Sequence, residues 1–247
     1  MPQQRFIRQI ALLGKKGMEK IKKAILCLVG IGGNGSAFLN LATHMGFENF
    51  YLVERRQHLL QESDLNRFLL MGQESDVGRP KIKVAEEWLK RFRRSVNYHL
   101  VPHDVRSRQG KEAIKKSQIV ISAVDNDETR YFLQELCLKE KKILLDIASG
   151  VLGTRDKLRY FGSRASLYIP GQACVFCQGL TRKPVEQPHI SSVTPNVEIA
   201  ARAVEMLVAQ LTNLGEKVNF VVNDSLAHRT EALFLERKKD CSFCSKR

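Results

Sequence analysis

Two Cys-x-x-Cys pairs lie far apart in this chain and constrain its fold more than any other feature. The first is Cys174 and Cys177, and the second is Cys241 and Cys244, near the end of the 247-residue sequence. Two chelating pairs of thiolates are the ligand set of a closed, tetrahedral structural Zn²⁺ site. A shared ion would tie the last residues to the middle of the chain, within one larger domain. The alternative is two unrelated pairs, one of them redox-active.

A strand, a glycine turn, a helix and a second strand follow one another near the N-terminus. Apolar runs predict strands over 24–29 and 50–53, and residues 37–45 have helical periodicity. After the first strand comes the turn Gly30-Ile-Gly32-Gly33-Asn-Gly35, whose spacing is that of a nucleotide-binding fingerprint. Such a turn brings phosphates close to backbone N–H groups at a helix N-terminus.

The alternation of strands and helices continues to about residue 150 and predicts the fold class. We expect an α/β fold, a Rossmann-like, doubly wound and largely parallel sheet, with an antiparallel C-terminal extension and the zinc site. The predicted elements are helices over 82–92 and 129–138, strands over 98–101, 119–123 and 143–145, antiparallel strands within 157–169, a helix over 196–211 capped by Thr194 or Asn196, and a hairpin of 220–222 with 232–235. We predict one domain, 1–247, with a nucleotide-binding half, 1–150, and a second half, 151–247.

Charged residues after the second strand indicate which nucleotide chemistry to expect. Glu54 ends that strand, where it could accept hydrogen bonds from ribose hydroxyls or merely cap a loop. Arg67 and Lys81 follow, and cations there suit an enzyme that cleaves ATP between its α- and β-phosphates. Asp125, after the strand over 119–123, could hold Mg²⁺. The chain has no Walker-A sequence and is not predicted to be a P-loop ATPase.

The net charge of +14 is consistent with an anionic partner. Stacking on single-stranded nucleic acid would require a row of aromatic side chains, and none accompanies the basic segments. A nucleic-acid partner is therefore possible but not favoured. The N-terminus does not read as a signal peptide and no apolar run reaches membrane-spanning length, so we expect a cytoplasmic protein without a membrane partner.

The motifs of this chain, taken in their order from the N-terminus, resemble those of the ThiF/MoeB/HesA family, the ubiquitin-activating-enzyme-like adenylyltransferases. The resemblance covers nearly the whole chain and includes both cysteine pairs. The matching segments are Arg5–Ile10, Gly30–Ser36, Leu65–Arg67, Val77–Lys81, Asp125-Asn126 and Glu128–Arg130.

The resemblance implies an enzyme that adenylates the C-terminal carboxylate of a small ubiquitin-like or sulfur-carrier protein ending in Gly-Gly. It implies ATP and Mg²⁺ as cofactors, with structural Zn²⁺ on the four cysteines. The second half of the chain would bind the carrier, and Arg8 would reach across a homodimer interface to the phosphates. Among the other implied nucleotide-site residues, Gly32 and Gly35 would lie under the nucleotide, and Glu54 would bind the ribose. Asn66 and Arg67 would contact the phosphates, Lys81 would stabilise the α-phosphate, and Asp125 would hold Mg²⁺. The remaining nucleotide-binding residues would be Gly30, Gly33 and Asn126.

Two departures from the family pattern leave alternatives open. Arg56 stands where the family usually has a second acid, which would suit an inactive scaffold for a ubiquitin-like protein. No cysteine lies between Gly179 and Asn196, where thioester-forming members carry their nucleophile. We therefore predict adenylation without a thioester, unless Cys137 serves. A third reading, favoured by the charge, is a relative that activates a carboxylate on a modified tRNA base. His189 is expected to be a surface loop residue.

Overall fold

A computed structural model describes residues 2–70, 72–93, 95–152, 157–180 and 192–245. Within these ranges, the protein is organised around one mixed sheet of eight strands. The strand order is β3-β2-β1-β4-β5-β6-β7-β8. The first five strands in this order are parallel to one another, and the remaining pairings are antiparallel. The predicted fold class, a Rossmann-like sheet with an antiparallel extension, is confirmed.

The strands and helices alternate along the chain as far as β5. The strands are β1 (Ile25–Val29), β2 (Asn49–Val53), β3 (Asn97–Val101), β4 (Ile119–Ser122), β5 (Ile143–Leu152), β6 (Tyr160–Tyr168), β7 (Phe220–Asp224) and β8 (Arg229–Leu233). The helices are α1 (Pro2–Arg5), α2 (Ile7–Lys23), α3 (Gly33–Met45), α4 (Lys81–Phe92), α5 (Arg108–Lys116), α6 (Asp127–Lys139) and α7 (Val193–Thr212). None of the helices within these ranges combines the length and the apolar composition needed to cross a bilayer.

Apolar cores lie on both faces of the sheet. Side chains of β1 alternate between the two cores. Leu26 and Leu28 pack with α2, α3, α4 and α7. Cys27 and Val29 pack with α5, α6 and the two Cys-x-x-Cys pairs. Successive residues of a strand point to opposite faces, so a strand covered on both faces must be apolar throughout. This is why the central strands β1 and β4 are continuous apolar runs in the sequence, whereas the edge strand β3 is partly exposed and contains polar residues.

The structure differs from the predictions at several elements. Strand β5 continues beyond Leu145 to Leu152, because β6 pairs antiparallel with Leu144–Leu152. The strand predicted over 232–235 is β8, Arg229–Leu233. Helix α5 was not predicted; it begins after Ser107, whose hydroxyl accepts the Gly110 N–H at 3.1 Å. The predicted cap of α7 was wrong: the helix begins after Ser192, and Asn196 is buried inside it.

A buried carboxylate, that of Asp146 on β5, joins neighbouring elements where β4 ends. Its Oδ1 accepts hydrogen bonds of 2.6 Å each from Ser122 Oγ and from an Arg130 Nη, and its Oδ2 lies 3.0 Å from an Arg164 Nη. Burial alone would raise the pKa of Asp146, but the two guanidinium groups and these hydrogen bonds outweigh it and hold the pKa below its usual range. The charge of this aspartate therefore stabilises the fold.

Asp146→Asn should lower the free energy of unfolding by about 3 kcal/mol, because it leaves two arginines without their buried counter-charge. Because the pKa is lowered in the folded state, the contribution of Asp146 is present above its unfolded value, about pH 4, and is lost as the pH falls through the folded pKa. Urea denaturation over a pH series should therefore give the wild type a steeper loss of stability on acidification than the variant. Equal pH slopes would contradict this account.

Candidate functional site

A cavity of about 920 Å³ opens at the carboxyl ends of the parallel strands. It lies where the strand order reverses between β1 and β4, the topological switch point at which such sheets bind ligands. Its volume is within the range of small-molecule sites. The predicted site residues that line it are Gly30, Gly32, Gly33, Glu54, Arg67, Lys81, Asp125 and Asn126.

The glycine turn places the start of α3 against this cavity. Gly30 has φ of 89°, a conformation that favours glycine, and a Cβ there would lie 2.7 Å from the Ala123 carbonyl oxygen. Its N–H donates to the Val53 carbonyl at 3.0 Å, which ties the turn to β2. Helix α3 then begins at Gly33. The first N–H groups of a helix lack intrahelical acceptors and carry partial positive charge, so this end of the cavity attracts anions.

Glu54 contacts both the glycine turn and its own loop. Its Oε2 accepts the Ile31 N–H at 2.7 Å, while Oε1 accepts the Arg55 N–H at 3.0 Å and lies 2.6 Å from His58 Nδ1. A carboxylate offers about four acceptor positions. These three contacts leave one position on Oε2 for a ligand hydroxyl, so the predicted ribose contact and the loop-capping reading are compatible.

Asp64 holds the two predicted phosphate-binding cations together. Its Oδ1 lies 2.9 Å from an Arg67 Nη, and its Oδ2 lies 2.8 Å from Lys81 Nζ. Burial would raise the pKa of Asp64, but the hydrogen bond from Lys81, the Gln61 N–H and the two positive charges lower it instead. One negative charge between two cations leaves a net positive charge at the cavity wall.

Asp64 belongs to a tetrapeptide that occurs twice. Residues 61–64 and 73–76 both read Gln-Glu-Ser-Asp, and each forms a 3₁₀ turn with a capping box. In each turn the aspartate pairs with the arginine three residues later, Arg67 or Arg79. Only the first turn also holds a lysine, and only its residues line the cavity, so the second turn is a natural control for the first.

The remaining predicted site residues are distributed as follows. Asp125 and Asn126 line the cavity, and the Asn126 side chain caps α6 by accepting the Thr129 N–H at 2.9 Å. Gly35 is buried within α3 behind the turn. Asn66, Arg8 and Arg56 are exposed and are not among the described residues that line the cavity; His189 lies outside the described ranges.

Sequence reasoning gave no site role to many of the cavity residues, among them Asp64, His58, Ser149 and Asn196. Asp64 could have been found from its spacing, because an acid three residues before Arg67 is placed to pair with it. Asn196 and Ser149 meet only in the tertiary structure, 47 positions apart in the chain, and no local signal relates them.

The four paired cysteines converge at a second site, on the opposite side of the sheet from α7. Their sulfur atoms lie within 4.8 Å of one another, with Sγ–Sγ distances of 3.6, 3.7 and 3.8 Å between neighbours. Tetrahedral Zn²⁺ with Zn–S bonds of about 2.3 Å requires about 3.8 Å between sulfurs. Burial would raise the pKa of Cys241, but the N–H groups of Cys244 and Phe243 and the neighbouring thiols lower it to about 7. The donor set fits Zn²⁺.

The other two cysteines lie in the core. Cys27 on β1 and Cys137 on α6 have no exposed surface, and burial raises the pKa of both thiols. A buried, protonated thiol is a poor nucleophile.

The strand order and the glycine turn define a Rossmann-like α/β protein with a cavity at its switch point. One wall of this cavity carries the paired cations Arg67 and Lys81. The model of the ThiF family matches residues 6–242. The chain therefore belongs to the ThiF family.

Two curated relatives indicate the range of similarity. The chain is 28% identical over 176 residues to SUMO-activating enzyme subunit 2 of Dictyostelium discoideum, a match that covers 71% of this chain and 25% of that protein. It is 32% identical over 133 residues to a sulfur carrier protein adenylyltransferase of Thermus thermophilus, covering 53% of this chain and 48% of that protein. These matches span a quarter to about half of the relatives' lengths.

Among solved structures, E. coli MccB in complex with AMPCPP and MccA has the same fold. The TM-score is 0.79 at 16% identity, and the match covers 98% of this chain and 74% of that chain.

Asp64→Asn should destabilise the protein by about 1–3 kcal/mol, because it weakens the pairing of two partly buried cations. Asp76→Asn, in the duplicate turn, should lower the free energy of unfolding by less, since Asp76 forms an ion pair with Arg79 and none with a described lysine. Urea denaturation of both variants at neutral pH tests the comparison. An equal or larger loss in Asp76→Asn would show that the Lys81 pair contributes no stability.

Proposed function

We propose that this protein is an ATP-dependent adenylyltransferase that activates the C-terminal carboxylate of a small ubiquitin-like or sulfur-carrier protein, or of a peptide, as an acyl-adenylate. Membership of the ThiF family supports the reaction class, and the Thermus relative is named for it. The observation that carries the proposal is the pair Arg67 and Lys81, held by Asp64 at the wall of the cavity that the glycine turn lines.

The reaction needs positioning and charge more than acid–base catalysis. A carboxylate oxygen of the partner attacks the α-phosphorus, an acyl-phosphate bond forms, and the bond from the α-phosphorus to the bridging oxygen breaks, releasing pyrophosphate. The attacking carboxylate is already ionised at neutral pH. Negative charge on the α-phosphoryl group and on the departing pyrophosphate must be stabilised, which preorganised cations do well.

The cavity residues divide these tasks. Glu54 would accept a ribose hydroxyl on its remaining acceptor position, and the N-terminus of α3 would face phosphate. Arg67 and Lys81 would neutralise the charge that develops on the phosphates. Asp125 would hold Mg²⁺, which supplies further charge neutralisation when bound, and Asn126 would lie beside the nucleotide.

The partner and assembly follow from the same proposal. The basic chain would bind an acidic carrier ending in Gly-Gly, and residues 151–247 would form the carrier-binding half. Arg8 is exposed on α2, as required of a side chain that reaches the phosphates of a partner subunit in a homodimer. The proposed location is cytoplasmic.

We further propose that the adenylate is not passed to a cysteine of this chain. Four of the six cysteines belong to the cluster, and Cys27 and Cys137 are buried with raised pKa values. The acceptor of the activated carboxylate would then lie outside these 247 residues.

The four-cysteine cluster is proposed to hold structural Zn²⁺, since its spacing fits the ion. It would fasten the C-terminal residues to the segment after β6, beside α6, where Gln134 accepts the Val175 N–H at 2.9 Å. The zinc would have no part in the chemistry.

Exchange of labelled pyrophosphate into ATP tests the proposed reaction, with a panel of small proteins and synthetic peptides ending in Gly-Gly. Lys81→Ala and Asp125→Ala should each reduce partner-dependent exchange by about 100-fold or more. Asp64→Asn should also reduce it, because both cations lose their anchor, whereas Asp76→Asn should not.

Matched controls for the exchange assay lie close in sequence. Lys83 on α4 pairs with Glu86 outside the cavity, and Asp127 follows the predicted metal ligand without lining the cavity, so Lys83→Ala and Asp127→Ala should retain activity. If Lys81→Ala and Asp125→Ala both catalysed exchange at the wild-type rate, the assignment of these residues to the active site would be refuted. Partner binding without any exchange would favour the scaffold function.

Elemental analysis of the purified protein should find about one zinc per chain, and Cys174→Ser and Cys241→Ser should each lose the metal and unfold at lower temperature. Cys27→Ser is the control: it disturbs the core but should keep the zinc. A folded, metal-free wild type with a disulfide in either pair would support the redox alternative.

A further inference from the structure

A buried amide on α7, that of Asn196, presents an unpartnered donor to the cavity. The residue is 1% exposed, and its Oδ1 accepts a hydrogen bond from Ser149 Oγ at 2.5 Å. Its Nδ2 is buried and has no hydrogen-bond partner within the described part of the chain. Both residues line the cavity. Since an unpaired buried donor is costly, its position calls for an acceptor beyond the described residues, and the cavity that it lines offers a bound ligand as that acceptor.

The surroundings of Nδ2 indicate the kind of acceptor. A Cβ on Gly33 would lie 2.3 Å from Asn196 Nδ2 and 3.2 Å from Arg67 Cδ. The amide thus occupies the place of the side chain that Gly33 lacks, at the first residue of α3. The donor, the helix N-terminus and the arginine side chain meet there, and each of them favours an anionic oxygen.

Ser149 sets the direction of this amide. Its hydroxyl donates to Oδ1, so the amide is held with its NH₂ group away from β5 and toward Gly33. Asn196 also comes from the half of the chain after residue 150, whereas the glycine turn, Arg67 and Lys81 come from the first half. Residues from both halves of the chain would therefore bind the reacting anion.

We propose that Asn196 is a substrate-binding residue whose Nδ2 donates a hydrogen bond to an oxygen of the acyl-phosphate group. This inference rests on the proposed function and deepens it. The oxygen is either an anionic oxygen of the α-phosphoryl group or the carbonyl oxygen of the acyl group that is joined to it.

Isothermal titration of three ligands into the whole protein tests the proposal without an identified partner. The ligands are adenosine, AMP and the acyl-adenylate mimic 5′-O-(N-glycylglycyl)sulfamoyladenosine. Asn196→Ala should weaken binding of the mimic about tenfold, and Asn196→Asp about a hundredfold, because a carboxylate removes the donor and repels the anion. Adenosine, which has neither group, should bind equally to all variants. A weaker affinity for AMP assigns the contact to the phosphoryl oxygen, and an unchanged one to the acyl oxygen.

Two further variants separate binding from structure. Asn219 is equally buried, but Leu235 satisfies both ends of its amide, at 2.8 and 2.7 Å. Asn219→Ala should lower stability and leave the affinities unchanged. Ser149→Ala, which frees the orientation of the Asn196 amide, should weaken binding of the mimic by less than Asn196→Ala does.

Distinct outcomes overturn the two proposals. Equal affinity of the wild type and Asn196→Ala for the mimic overturns the role of Asn196 alone, and so does a loss that extends equally to adenosine. A wild type that binds none of the three ligands counts against adenylation itself and removes this inference with it.

Discussion

The close approach of backbone and side chains at the glycine turn is the constraint on which the rest of the site depends. Without side chains at residues 30 and 33, the Ala123 carbonyl and the Asn196 amide can lie against the turn. Elements β1, β4, α3 and α7 therefore meet at one point, which is also the switch point of the sheet. The packing of these elements at the glycine turn positions the cavity, its cations and the N-terminus of α3.

Local pairing, rather than the net charge of +14, determines the electrostatics of the interior. Asp64 lies between Arg67 and Lys81, and Asp146 lies between Arg130 and Arg164. In both clusters one acid pairs with two bases, and Arg130 also lies 3.6 Å from Asp127 Oδ1. Of the two, Asp64 with Arg67 and Lys81 lines the cavity and has a net positive charge. A substrate rich in negative charge suits this wall, because preorganised cations need little rearrangement when it binds.

Much of the fold could be predicted because the central strands β1 and β4 are buried on both faces and so appear as apolar runs. Helix α5 was missed because it is short and strongly basic, with few apolar residues to reveal its period. The second half of β5 was missed because it is not an apolar run; its antiparallel partner β6 makes it a strand. Of the candidate site, the cations and the glycine turn were found from local spacing, but the acid that joins Arg67 to Lys81 was not.

The sequence by itself determined the family, the order of the parallel strands along the chain and the two chelating pairs of thiols, because these depend on residue type and short spacing. Only the tertiary structure decided which groups meet. Ser149 and Asn196 are 47 positions apart and Cys174 and Cys241 are 67 apart, yet each pair is in contact. The distances between such groups are set by the packing of helices on the sheet. The Asn196 donor, which no described residue accepts from, is likewise visible only in the fold, since burial and the positions of neighbouring acceptors are properties of packed atoms.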